Sequence, residues 1–194
     1  INDGVWVNSN QIITLTPTDS GSGLKEVKYC TGVGCTPNTT LTSPYQLSYT
    51  TDQDTIVRYQ AWDNSGLSSD IGQYNIKLDK VNPTTAKTLT GTLGTNDWYT
   101  SDVNVQLTSS DNLAGIKEVK YCVDQSNNCD PTTQGTSVAV TQEGSNYVRY
   151  YSVDNAGNAE TKKSFTVNPR SVGLNLRSIF STYFLSCMVE IIGA

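Results

Sequence analysis

A stretch of 25 residues that occurs twice constrains the fold more than any other feature. It runs from Trp6 to Cys30 and, 92 residues later, from Trp98 to Cys122, with 12 identical positions and the same Lys-Glu-Val-Lys-Tyr-Cys ending. A period of this size matches a small β-sandwich domain. The sequence therefore predicts two tandem domains, here called repeat one (residues 1–82) and repeat two (residues 83–169), followed by an atypical tail (residues 170–194).

Apolar residues at alternate positions indicate that both repeats are built from β-strands. Ile13 and Leu15 in the first copy match Val105 and Leu107 in the second. Period-two alternation is typical of a half-buried strand. Two stronger strands are predicted at 56–62 and 147–153, and each runs into an Asp-Asn-(Ser/Ala)-Gly turn. Since no capped helical periodicity is found through residue 168, we predict an all-β fold with two sandwich domains.

A proline-bounded linker separates the two copies. Asp79-Lys-Val-Asn-Pro83 joins them, and the proline should end the preceding strand. Asn168-Pro169 repeats Asn82-Pro83 and so predicts the same boundary a second time. Beyond it, an apolar run of about 16 residues is short for a membrane span of roughly 20. The tail is therefore interpreted in three ways: a truncated or aberrant end, the start of a membrane or interaction helix, or an amphipathic helix on repeat two.

The cysteines predict an oxidising compartment. Cys30 and Cys35 occupy the same place in repeat one as Cys122 and Cys129 in repeat two, which favours two local disulfides. Zinc is disfavoured because the two spacings differ and the chain contains no His. The fifth cysteine, Cys187, lies in the tail. No basic start followed by an apolar run is visible. We expect an extracellular or cell-surface location, with the export signal and anchor outside this sequence.

Charge and composition disfavour two classes of function. The net charge is -5 and the pI about 4.6, with no basic run to bind a phosphate backbone. Without His, neither a Ser-His-Asp nor a Cys-His arrangement can form. The paired carboxylates that recur beside Gly in both repeats are better explained as turn caps than as a glycosidase pair. We predict a protein that is not an enzyme and has no nucleic-acid partner.

The same turn carboxylates could bind calcium, which favours oxygen ligands from loops. No EF-hand spacing is present, and turn capping remains the alternative. Asp79 in the linker could bridge the two domains through the ion. The candidate metal ligands are Asp19, Asp63, Asn64, Asp79, Asp111 and Asp154. No other cofactor is predicted.

The complete pattern resembles the prokaryotic (bacterial or archaeal) Ig-like repeats of large extracellular proteins. The resemblance covers about residues 4–168, and the turn Asp-Asn-Ala-Gly-Asn (154–158) and the linker 79–83 are its most specific parts. It implies tandem Ig-like domains in an adhesin, stalk or secreted enzyme, with neighbouring domains of the same polypeptide as partners. Repeat one departs from the pattern at Leu67, where the family usually has Asn, and repeat two lacks the linker Asp.

The sequence predicts a non-catalytic spacer, stalk or adhesive segment of a larger surface or secreted protein. The alternative is a carbohydrate- or protein-binding accessory module, whose partner would be a glycan or another surface protein. Aromatic rings suit sugar stacking, and aromatics that differ between the repeats are the better candidates for a ligand face. These are Tyr45, Tyr49, Trp62, Tyr99, Tyr147 and Tyr151.

Overall fold

A computed structural model describes residues 3–170, and the regular structure in this part of the chain is entirely β. The all-β prediction is confirmed, and these residues contain no helix long and apolar enough to cross a bilayer. The strands are β1 (Gln11–Thr14), β2 (Leu24–Thr31), β3 (Thr39–Leu41), β4 (Gln46–Tyr49), β5 (Gln53–Asp63), β6 (Gly72–Leu78), β7 (Thr84–Thr90), β8 (Trp98–Tyr99), β9 (Val103–Ser110), β10 (Ile116–Asp124), β11 (Thr133–Gln134), β12 (Ser137–Val140), β13 (Asn146–Asp154) and β14 (Lys163–Pro169). The predictions for the tail, including Cys187, lie outside the described residues.

The strands form four sheets, two from each repeat. Repeat one contributes a two-stranded sheet, β1-β4, and a four-stranded sheet, β3-β2-β5-β6. Repeat two contributes a three-stranded sheet, β12-β9-β7, and a five-stranded sheet, β11-β10-β13-β14-β8. The two strongest predicted strands correspond to β5 and β13. The main difference is that, among residues 3–170, β9 has two strand neighbours, whereas its counterpart β1 has one.

The contacts divide the chain into two compact units that do not coincide with the repeats. The first unit contains residues 3–86 together with 108–120 and 150–162. The second contains 87–107, 121–149 and 163–170. The domain boundary between residues 82 and 83 therefore stays a prediction.

The core of repeat one lies between its two sheets. Ile13 and Leu47 come from the two-stranded sheet and pack in one apolar cluster with Val27, Val57 and Ile76 of the four-stranded sheet. Such packing of two sheets over a shared core defines a β-sandwich. Repeat two has buried residues at the positions that alternation predicts, Val105 and Leu107 among them.

Both predicted disulfides are present, Cys30–Cys35 and Cys122–Cys129. Each is held against the adjacent strand by the Arg of the repeated Val-Arg-Tyr motif. Arg58 Nη1 donates to the carbonyl oxygen of Cys35 at 2.5 Å, and Arg149 Nη1 donates to that of Cys129 at 2.7 Å. The repeated Arg is thus part of the disulfide loop, a role that the sequence pattern did not indicate.

The predicted register of Asn168-Pro169 on Asn82-Pro83 is wrong, whereas the predicted end of repeat two at residue 169 stays a prediction. Leu78 forms a parallel bridge with Val7, and its counterpart in repeat two is Pro169, which pairs with Tyr99. One residue later, the Asp79 amide donates to Val7 O at 3.0 Å and the Arg170 amide donates to Tyr99 O at 2.8 Å. Pro169 is thus the last residue of a strand rather than a linker residue, and Arg170 occupies the position of Asp79.

Candidate functional site

Two turns at one end of repeat two form the framework of the site. In the first, Asp111 Oδ1 accepts from the amides of Leu113 at 3.0 Å and Gly115 at 2.9 Å. In the second, Asp154 Oδ1 accepts from the Asn158 amide at 2.8 Å. Gly115 has φ +73°, a conformation that side chains rarely adopt. These carboxylates therefore cap their turns, as the sequence predicts.

The linker residue Asp79 lies against both turns, within the first unit. Its Oδ2 accepts from the Ala114 amide at 2.8 Å, and its Oδ1 accepts from the Val81 amide at 3.0 Å. The side chain of Asn158 donates to the carbonyl oxygen of Asp79 at 2.9 Å and to Asp154 Oδ2 at 2.7 Å. Asn158 therefore connects the linker to the second turn.

Together, Asp79, Asp111 and Asp154 form what we call the linker cluster. One carboxylate oxygen from each lies within 4.8 Å of the others. Asp79 and Asp154 have no exposed surface, and Asp111 Oδ2 is a buried oxygen without a hydrogen-bond partner. The ion pairs found among residues 3–170 involve none of the three. The cluster thus concentrates negative charge away from water.

This concentration of charge affects the ionisation of Asp79. Burial raises the pKa of its carboxyl group above the ordinary value, and the neighbouring charges of Asp111 and Asp154 raise it further. The amides of Val81 and Ala114 oppose the shift by donating to the ionised form. Either a proton or a bound cation would relieve the repulsion.

The spacing of the oxygens fits a calcium ion. Calcium binds oxygens at 2.3–2.6 Å, so two ligands of one ion lie at most roughly 5 Å apart. The 4.8 Å limit on the three carboxylate oxygens is within this range. Calcium takes six to eight oxygens, so backbone carbonyls or water would have to complete the coordination.

The other three predicted ligands belong to the equivalent turns of repeat one and do not join the linker cluster. Asp19 Oδ2 accepts from the amides of Gly21 and Gly23 at 2.9 and 2.6 Å. Asn64 Nδ2 donates to the carbonyl oxygen of Ser22 at 2.9 Å. The described residues place no third carboxylate beside these turns.

Asp63 differs from Asp79 in the direction of its pKa shift. Partial desolvation acts to raise the pKa of Asp63, but the hydrogen bonds donated by Ser65, Leu67 and Ser22 outweigh it. The pKa of Asp63 is therefore lowered, as expected for a carboxylate that caps an exposed turn.

A second polar cluster lies beside the linker cluster, where β7 enters repeat two. Glu160 accepts from the Thr85 amide at 3.1 Å and from the Ser152 amide and hydroxyl, both at 3.0 Å. The Thr85 hydroxyl contacts Ser109 Oγ at 2.7 Å as well as Glu160. All but Ser109 are buried. These contacts hold the first residues of β7 in place.

The six candidate ligand-face aromatics are half-buried and come from four strands and one loop, with Tyr147 and Tyr151 both in β13. Lys28 Nζ lies 5.0 Å from the ring centroid of Trp62, and Lys162 Nζ lies 5.7 Å from that of Tyr151. Tyr45 and Tyr49 pack against the core of repeat one. Burial raises the pKa of Tyr49 to about 12. Tyr99 and Tyr147 lie in β8 and β13. A lysine therefore lies over one face of Trp62 and over one face of Tyr151.

Sequence reasoning missed Asn158 and the Ala114 amide. The signal for Asn158 was its place at the end of Asp-Asn-Ala-Gly-Asn, where it differs from Leu67 of repeat one. No signal pointed to Ala114, because a backbone amide is used through its position and not through its side chain.

Comparisons with known proteins do not assign the chain to a family. No protein-family model matches it, and no curated protein matches it. A solved structure of fibronectin(III)-like modules of Clostridium thermocellum CbhA is similar with a TM-score of 0.37 and 18% sequence identity. The similarity covers 88% of this chain and 90% of that chain. A likeness of this strength carries no argument about function.

Proposed function

We propose that this chain is a non-catalytic spacer segment of a larger extracellular protein, built from Ig-like repeats whose junction is stiffened. The observation that carries the proposal is the burial of Asp79 against the turns of repeat two. A flexible linker would leave its polar groups in water, whereas the side chain of Asp79 is fully buried and both its oxygens accept backbone hydrogen bonds.

The two disulfides support an extracellular location, because such bonds persist in oxidising compartments. The resemblance to prokaryotic Ig-like repeats supports a tandem array in a stalk or adhesin. The lysines that lie over one face of Trp62 and of Tyr151 leave less ring surface for a sugar, which favours the spacer over a glycan-binding module.

We further propose that the linker cluster binds calcium. Two carboxylates without exposed surface and a third with an unpartnered buried oxygen lie close enough to share one ion. Burying like charges without a counterion is costly. An ion at this position would stabilise the contact between Asp79 and the two turns, and so the junction itself.

The spacer proposal is tested by measuring the distribution of distances between the repeats. Fluorophores are attached through non-natural amino acids at two exposed positions, Val33 and Thr132, and single-molecule energy transfer is recorded. We expect a narrow distribution with calcium and a broader one with chelator. Asp79→Ala should give the broad distribution in both conditions, because it removes a ligand and two hydrogen-bond acceptors.

The matched control is Asp70→Ala, which removes an exposed carboxylate of repeat one outside the linker cluster. It should leave the distribution narrow. A distribution that is broad in every sample would contradict the spacer proposal. A distribution that stays narrow in chelator and in Asp79→Ala would contradict the calcium site.

A further inference from the structure

The two repeats differ in one element of structure. In repeat two, β7 pairs with β9, which is eight residues long. In repeat one, the counterpart of β9 is β1, which is four residues long and has a strand neighbour on one side only among the residues that the structure describes. Backbone groups of alternate residues in a strand point to opposite sides. The Leu15 amide donates to Tyr45 O on the β4 side at 3.0 Å. The backbone N–H groups of Thr14 and Thr16 therefore point to the other side of β1, here called its open side.

The open side of β1 borders a cleft in the position that β7 fills in repeat two. The cleft has a volume of about 310 Å³. Its lining includes Leu15, Pro17, Tyr59, Ala61, Ser69 and Tyr74. The counterparts of Pro17, Ala61 and Ser69 in repeat two are Ser109, Ser152 and Glu160, the three residues that contact Thr85 of β7.

Residues that line the cleft in repeat one are more exposed than their counterparts in repeat two, as expected if repeat one lacks a strand in the place of β7. Leu107 and Tyr150 are 1% and 4% exposed, and Ser152 is not exposed at all. Their counterparts Leu15, Tyr59 and Ala61 are only half-buried. The cleft therefore exposes side chains that belong to the core in the second copy.

The turns beside the cleft are uncovered as well. Ala114, whose amide donates to Asp79, is 6% exposed, whereas its counterpart Ser22 is exposed. Asn158 is 8% exposed, and its counterpart Leu67 is 72% exposed. In repeat two a single segment, from Asp79 to Thr90, covers both the turns and the strand edge.

We infer that the cleft of repeat one is an acceptor for an added β-strand, supplied by the segment that follows the linker of a further repeat of the same type. The residues of that segment are expected to resemble residues 78–90, with two differences. The Pro17 and Ala61 side chains offer no hydrogen bond, so an apolar residue should replace Thr85. An apolar side chain should also lie against Leu67, which cannot donate as Asn158 does. The inference rests on the proposed tandem array.

The test uses the full chain and a synthetic peptide with the sequence of residues 78–90. We expect saturable binding by isothermal titration calorimetry, with slowed hydrogen exchange at the Thr14 and Thr16 amides. A peptide carrying Thr85→Val should bind several-fold more tightly, and a scrambled peptide should not bind. Absence of binding by both the native and the Thr85→Val peptides would overturn the inference.

A matched pair of chain variants locates the binding site. Thr16→Pro removes one backbone donor from the open edge, where proline is tolerated. It should weaken peptide binding about fivefold, the worth of one backbone hydrogen bond, without changing the melting temperature. Thr108→Pro makes the same change beside β7 and should destabilise the protein. Unchanged peptide affinity in Thr16→Pro would place the peptide elsewhere and overturn the inference.

Two further outcomes separate this inference from its alternatives. Concentration-dependent self-association in sedimentation velocity, abolished by the peptide, would show that a second copy of this chain fills the cleft and would overturn the assigned occupant. A chain that does not bind the peptide but shows the calcium-dependent narrow distance distribution would retain the spacer function and lose the strand acceptor.

Discussion

The turns of the two repeats have nearly the same sequence and the same internal hydrogen bonds, yet they differ in burial. The Asn64 amide donates to Gly23 O at 2.9 Å in repeat one, and the Asn155 amide donates to Gly115 O at 3.0 Å in repeat two. Asp154 nevertheless has no exposed surface, whereas Asp63 is only half-buried. Local sequence therefore determines the turn, and the segment that packs on it determines whether its carboxylates remain in water.

The largest expected difference between the repeats concerns the core beneath β7. Leu107→Ala should lower the free energy of unfolding by about 3 kcal/mol, because Leu107 is almost completely buried. Leu15→Ala, the same change in repeat one, should cost about half as much, because Leu15 is already partly exposed. Urea denaturation measures both. Equal losses would show that the cleft beside Leu15 is covered in solution.

An exchange of the residues that end the two turns should give the next largest difference. Asn158→Leu removes the donors to Asp79 O and Asp154 Oδ2 and leaves buried acceptors unsatisfied, which should cost about 2 kcal/mol. Leu67→Asn changes an exposed side chain and should stay within about 0.5 kcal/mol of the unchanged protein. Thermal melts of both variants test the comparison, and a large effect of Leu67→Asn would contradict it.

The sequence allowed the strands and turns to be predicted, but not the difference between the repeats. Alternation placed Ile13 and Val105 in the core, and Asp followed by Gly indicated capped turns. The linker cluster could not be predicted, because it depends on the contact of Asp79 with the Ala114 amide, 35 residues away in the sequence. The open side of β1 depends on which strands pair, and alternation within one strand cannot show this. The proline match failed because Asn-Pro recurs at structurally different positions.

The response to pH should have opposite signs for Asp79 in the linker and Asp63 in the turn of repeat one. A folded-state pKa above the ordinary value of 3.8 means that the ionised form of Asp79 destabilises the fold relative to the protonated form. In chelator, stability should therefore increase as pH falls from 7 through the raised pKa of Asp79 towards 3.8. Asp63 has a lowered pKa, so its contribution is present above about 3.8 and is lost on further acidification.

Melting temperatures between pH 7 and pH 3 in chelator measure this response. Asp79→Asn should abolish the increase in melting temperature between pH 7 and pH 4. It should leave the decrease in melting temperature below pH 4 unchanged. Calcium should also suppress the increase, because a bound cation favours the ionised carboxylates. An increase of the same size in Asp79→Asn would show that another group is responsible.

The smallest expected difference concerns the disulfides. The two bridges join cysteines 5 and 7 residues apart, and closing loops this short should stabilise each by about 2 kcal/mol, with a difference of only about 0.3 kcal/mol. We compare the double variant Cys30→Ser, Cys35→Ser with Cys122→Ser, Cys129→Ser by urea denaturation. Arg58 and Arg149 donate to the same carbonyl position in each loop, so similar losses are expected. A much larger loss in repeat two would show that β7 and the covered turns depend on the local order of its disulfide loop, whereas the open cleft of repeat one does not.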